Sequence, residues 1–137
     1  MNFYGTVAYL LNESSLGLIE NIMIPGIGTL KAKTDTGNEA HNVLHGSDIK
    51  VEGESVHFTS SNGKRVTFPL KDTIKVHIGG GNIENRPVIV CNCLLNGKKF
   101  TNVPFSVTDR SKNEYKVLLG APFIKQNGGI VNVKKED

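Results

Sequence analysis

The sequence predicts a mainly β, single-domain protein, on three observations. The first is punctuation: 15 glycines and 5 prolines fall between short apolar runs. Turn signals recur about every 8–12 residues, the spacing of a barrel or sandwich of short strands. The second is the content of those runs, rich in Val, Ile, Thr and Phe, which suit a pleated, half-buried surface. The third is size: 137 residues build one hydrophobic core and leave no room for a second.

In chain order, residues 1–17 carry the least pattern and are expected to form an arm or an extra strand ahead of a domain over 18–137. A turn at Pro25-Gly26-Ile27-Gly28 leads into a strand in which Leu30, Ala32 and Thr34 alternate with Lys31 and Lys33. Glu52-Gly53-Glu54 marks the next turn. VHFTSS (56–61) and KRVTFPL (64–70) flank Asn62-Gly63, and Asn96-Gly97 follows RPVIVCNCLL (86–95). Asn-Gly between strand-like flanks is the strongest short hairpin signal, because both residues tolerate positive φ. TIKVHI (73–78), Gly79-Gly80-Gly81 and NVPFSVT (102–108) continue the pattern. Only APFIKQN (121–127) reads as a short helix, with Pro122 at an early helical position. The turn at Asn127-Gly128-Gly129 precedes a last strand, GIVNV. No repeat, linker or low-complexity tract interrupts the chain.

Composition excludes several classes of function. Hydrophobic residues make up 38% and charged residues 21%, the balance of a folded soluble domain. No apolar stretch approaches the roughly 18 residues of a spanning helix, and the N-terminus has no basic lead of a secretory signal, so no membrane partner is expected and the location is expected to be cytoplasmic. The net charge of +3 is spread over pairs such as Lys64/Arg65 and Lys98/Lys99, which is poor footing for nucleic acid. Cys91 and Cys93 lie two apart on one strand face, about 7 Å between Cα atoms, so buried reduced thiols are expected.

Two segments carry chemistry. Asp35-Thr36-Gly37 ends the Lys31–Thr34 strand, and Gly37 allows the tight backbone that presents a carboxylate at a site mouth. Near the C-terminus, Leu118-Leu119-Gly120 leads into the predicted helix and a Gly turn. This pair of segments resembles the retropepsin-like aspartic proteases, whose Asp-Thr/Ser-Gly supplies the catalytic carboxylate and whose apolar-apolar-Gly packs behind it. The spacing of Gly120, Phe123-Ile124, Gln126 and Gly128 is similar to the end of a retroviral protease. The match is closer to the bacterial and phage branch known as ATP-dependent zinc proteases. It rests on Lys31-Ala32-Lys33 before Asp35, Leu44-His45-Gly46, Arg86-Pro87-Val88, Leu95-Asn96-Gly97, Thr108-Asp109-Arg110 and Tyr115. The chain departs from that pattern at Ala121, where the family usually has Arg, and at Asn38 after the acidic turn.

The resemblance implies a closed β-barrel with one short C-terminal helix, an aspartic endopeptidase activity on a peptide or protein substrate, and Asp35 as the catalytic residue. Thr36, Gly37, Leu118, Leu119 and Gly120 would support the active loop. Peptide hydrolysis by carboxylates needs one charged and one protonated group. A chain with one Asp-Thr-Gly supplies one, so a homodimer with the site on its twofold axis is expected. A mobile hairpin should close over substrate. Ser61-Asn62-Gly63 is the first candidate and Gly79–Gly81 the alternative.

Despite the branch's name, no zinc motif is present. His41 and His45 have i,i+4 spacing, but Asn42 stands where a metalloprotease helix needs Glu, and adding Cys91 and Cys93 yields no usual ligand spacing. Gly26-Ile27-Gly28 and Gly79-Gly80-Gly81 lack the residues of a phosphate loop, and no nucleophilic Ser sits in a glycine elbow. No cofactor and no metal are expected. Relatives in this branch sit beside glutamate-ligating enzymes, which makes glutamate-rich peptides the expected substrate class. The rival readings are a non-catalytic binding or assembly module on the same fold, motivated by Ala121 and the altered loop after Gly37, and a metal-dependent hydrolase.

Overall fold

The computed structural model describes residues 19–34 and 42–120. Nine strands occupy most of this span: β1 (Ile19–Ile24), β2 (Gly28–Thr34), β3 (Asn42–His45), β4 (Ser47–Glu52), β5 (Ser55–Thr59), β6 (Arg65–Ile78), β7 (Asn82–Leu95), β8 (Lys98–Thr108) and β9 (Val117–Leu119). No helix occurs among the described residues; the predicted helix at 121–127 and the strand after it lie outside them.

Six of the strands close on themselves. The order β1-β2-β9-β3-β8-β7 returns to β1 through Ile22↔Leu95 and Met23↔Leu94, so the barrel has no free edge along this ring. β6, β5 and β4 continue outward from β7 as an antiparallel flank. Each strand buries alternate residues where one face is wet: Ile22 and Ile24 of β1 are inside, and Ala32 of β2 is inside between exposed Lys31 and Lys33. β3 is buried at all four residues, as befits a strand enclosed by β8 and β9. The core joins barrel and flank in one cluster, in which Leu44, Ile89, Phe105, Val107 and Leu119 meet Val56 and Phe58 of β5. Phe58 stacks on Phe68 of β6 with ring centroids 5.8 Å apart.

Both expected Asn-Gly hairpins form. Asn96 and Gly97 take φ of +52° and +75° between β7 and β8, and Gly63 takes +86° between β5 and β6. KRVTFPL and TIKVHI, which the sequence separates, are a single 14-residue strand β6, with a register shift between Leu70 and Asp72 absorbing the interruption. Cys91 and Cys93 are free, buried thiols of the core cluster. Among the described residues no helix is long and apolar enough to cross a membrane.

Candidate active site

β9 is short, but it sits between two strands of the barrel. It lies between β2 and β3, parallel to the first (Ala32↔Val117, Thr34↔Leu119) and antiparallel to the second (Val43↔Leu118, Leu44↔Val117). The chain leaves β2 at Thr34, on one flank of β9, and re-enters at Asn42 on the other. Thr34 and Asn42, the described residues on either side of the segment 35–41, thus flank the C-terminal end of β9. Asp35, Thr36 and Gly37 belong to that segment and lie outside the described residues, as do Asn38, His41 and Ala121.

The described residues around this end of β9 are tightly held. Leu119 and Val117 are fully buried, and Leu118 is half-buried. Asn42, itself buried, holds three strands together. Its Oδ1 accepts the Gly120 N–H at 2.8 Å, its Nδ2 donates to the Pro104 carbonyl at 3.0 Å, and its own carbonyl accepts the Ser106 hydroxyl at 3.3 Å. An amide has both an acceptor and donors, so one side chain satisfies groups on β8 and after β9 at once. Sequence reasoning passed over Asn42, noting it only as the residue that spoils a zinc motif; its partners are 62 and 78 residues away in the chain.

The two hairpins weighed as a flap differ sharply. Ser61-Asn62-Gly63 is tied down: Asn62 donates to the Ile27 carbonyl in the β1–β2 turn, accepts the Ser60 hydroxyl, and accepts the Lys64 N–H at 3.0 Å. Gly79–Gly81, by contrast, tips a two-stranded ribbon in which 73–78 and 82–87 pair with each other and, among the described residues, with no other strand. Ile78 and Ile83 stand 41% and 54% exposed near that tip, and Gly80 and Gly81 have φ of +73° and +77°.

Motifs scattered in the sequence meet at the far end of β3. His45 is buried; its Nδ1 accepts the Arg110 N–H at 2.8 Å and stands 3.8 Å from the Asp109 carboxylate. Arg110 donates from Nε to the Tyr115 carbonyl at 2.8 Å. The Lys116 ammonium donates to the Arg110, Ser111 and Asn113 carbonyls at 2.9, 3.2 and 2.8 Å. Glu84 accepts from Arg86 Nε at 2.6 Å and from the Thr108 hydroxyl at 3.3 Å, which ties the root of the ribbon to the end of β8. Burial pulls the His45 pKa below its ordinary value, as do Lys116 and Arg110, while Asp109 opposes the shift. Asp109 is itself held below the usual carboxylate range, first by its hydrogen bonds from Ser111. Lys33 holds its ammonium 6.0 Å from the centroid of the Tyr115 ring, on the β2–β9 side of the same loop.

Residues 15–137 match the family model described as RimB-like, retropepsin-like aspartic endopeptidase RimB. The chain belongs to the RimB-like family. A comparison with curated proteins finds no match. Among solved structures, a Legionella pneumophila protein of unknown function is 26% identical to this RimB-like chain, with a TM-score of 0.70 over 85% of this chain and 91% of that one. The closed barrel is thus the RimB-like form of the retropepsin-like fold. In this chain His45, Gly46, Glu84, Thr108, Arg110 and Tyr115 hold the β8–β9 loop and its ends.

Proposed function

We propose that this RimB-like chain is an aspartic endopeptidase that works as a homodimer, with one Asp35 from each subunit. The observation that carries the reading is the β2–β9–β3 arrangement. It delivers both ends of the segment containing the chain's one Asp-Thr-Gly to a site braced by Leu119, Gly120 and Asn42. Two carboxylates within a hydrogen bond of each other share one proton, because both cannot ionise easily. The charged member takes a proton from water, and the protonated member hydrogen-bonds the scissile carbonyl oxygen. Water then attacks the carbonyl carbon directly, without a covalent enzyme intermediate, and a proton passes to the leaving amine. The mechanism calls for no cofactor and no metal.

The mobile hairpin in this reading is the end of the β6–β7 ribbon around Gly79–Gly81, beyond the Glu84–Thr108 tie, whereas Ser61-Asn62-Gly63 is itself held to the β1–β2 turn. Glutamate-rich peptides are the proposed substrates, on family analogy and on the placement of Lys33 two residues before Asp35 with its ammonium over Tyr115. A second reading, a binding module, draws on Ala121 standing where relatives usually have Arg. Digestion of a diverse peptide pool that includes oligoglutamates, with Asp35→Asn in parallel and cuts read by mass spectrometry, separates the two. Cuts made by the wild type and absent from the variant support the protease; identical patterns in both refute it.

A further inference from the structure

The β8–β9 loop, residues 109–116, is bracketed by β3. The Gly46 N–H donates to the Thr108 carbonyl at 3.0 Å where the loop begins, and the His45 N–H donates to the Lys116 carbonyl at 2.8 Å where it ends. Between those anchors the His45 ring reaches into the loop's interior, its Nδ1 accepting the Arg110 N–H. A nitrogen that accepts from a backbone N–H carries no proton, so the ring is neutral with its proton on Nε2. The Asp109 carboxylate, 3.8 Å from the same Nδ1, is a waiting acceptor for the other state. It is already engaged by the Ser111 N–H at 2.8 Å and the Ser111 hydroxyl.

We infer that His45 is a positioning residue: its neutral ring latches the loop that feeds β9 into the candidate active site, and protonating the ring opens the latch. A proton on Nδ1 cannot coexist with the Arg110 N–H, so the ring turns its new N–H to Asp109 and Arg110 gives up its acceptor. Arg110 cannot move alone. Its side chain holds the Tyr115 carbonyl, and its own carbonyl is one of three gathered by Lys116, the residue next to β9. The charged groups acting on the ring are Asp109, which favours the proton, and Lys116 and Arg110, which oppose it. From the ribbon, Glu84, which also accepts from Arg86, reaches Thr108, the residue paired with His45. Opening the latch therefore loosens the loop, the start of β9 and the root of the ribbon together.

The activity arm of the test rests on the proposed protease reading, and the structural arm does not. Amide exchange of the full-length protein is followed by NMR from neutral to acid pH and corrected for intrinsic rates. Arg110 should lose about five- to tenfold of its protection as the His45 ring titrates, the equivalent of one backbone hydrogen bond. The ring's nitrogen shifts should report a bare Nδ1 at neutral pH. His45→Asn retains an acceptor near the Nδ1 position without a titrating ring and should keep Arg110 protected in acid; His45→Leu should lose protection at every pH. In the same variants, the acid limb of peptide cleavage should move to lower pH in His45→Asn. Arg110 protection that ignores pH in the wild type, or a protonated Nδ1 at neutral pH, overturns the latch. Loss of cleavage with the exchange pattern intact would refute the protease reading alone.

Discussion

Asn42→Ala removes a side chain that ties β3 to both β8 and the residue following β9. The Gly120 N–H loses its acceptor inside the protein, where an unsatisfied donor costs about 1–3 kcal/mol. The Pro104 carbonyl, partly buried, loses a donor worth about 1 kcal/mol. Together the substitution should cost about 3 kcal/mol. Urea unfolding followed by circular dichroism suits a protein without tryptophan. With a slope of about 2 kcal/mol/M for a domain of this size, the midpoint should fall by about 1.5 M. Both proteins must be measured at one protomer concentration, because association adds to apparent stability. An unchanged slope would place the effect in the native state. A midpoint shift below about 0.5 M would mean that water or a neighbouring group replaces the amide, and the clamp would lose its standing.

Other consequences are as direct. A methyl group at Gly46 would stand 2.5 Å from Val107 Cγ1 and 2.6 Å from Phe58 Cδ2, both on buried side chains, so Gly46→Ala should destabilise by about 1–3 kcal/mol in the same assay. Because burial lowers the His45 pKa on folding, the unfolded chain binds more protons just below the ordinary value of 6.5. Stability should then fall as pH drops from 6.5 towards the lowered folded value, and His45→Asn should flatten that slope in pH-dependent melts. Burial pushes the thiols of Cys91 and Cys93 up to about 12 and about 11. Iodoacetamide at neutral pH should leave both unmodified in the native protein and alkylate both after unfolding, and native labelling would contradict their burial.

What the sequence made legible was local. Asn96-Gly97 and Asn62-Gly63 announce turns because their backbone needs positive φ, and the strands beside them follow. β6 was legible only in halves, as KRVTFPL and TIKVHI; Pro69 pairs with Ser55 of β5, and a register shift between Leu70 and Asp72 joins the halves. β3 shows no alternation because both of its faces are buried, and β9 is too short, at three residues, to display one. At the candidate site, Leu119 and Gly120 were legible through family resemblance. Asn42 was not, since nothing near it in sequence hints at Gly120 or Pro104. The meeting of His45 with Arg110 and of Glu84 with Thr108 is likewise a product of strand order.

The central claim is that two chains share one catalytic pair. Wild-type protein mixed with an equal amount of Asp35→Asn, after subunit exchange, tests it in one measurement. If both Asp35 residues of a dimer are needed, only wild-type pairs cleave, and activity should fall to about a quarter of that of the same total wild-type concentration. If each chain holds a complete site, activity should fall only to about a half, and the shared dyad would be wrong.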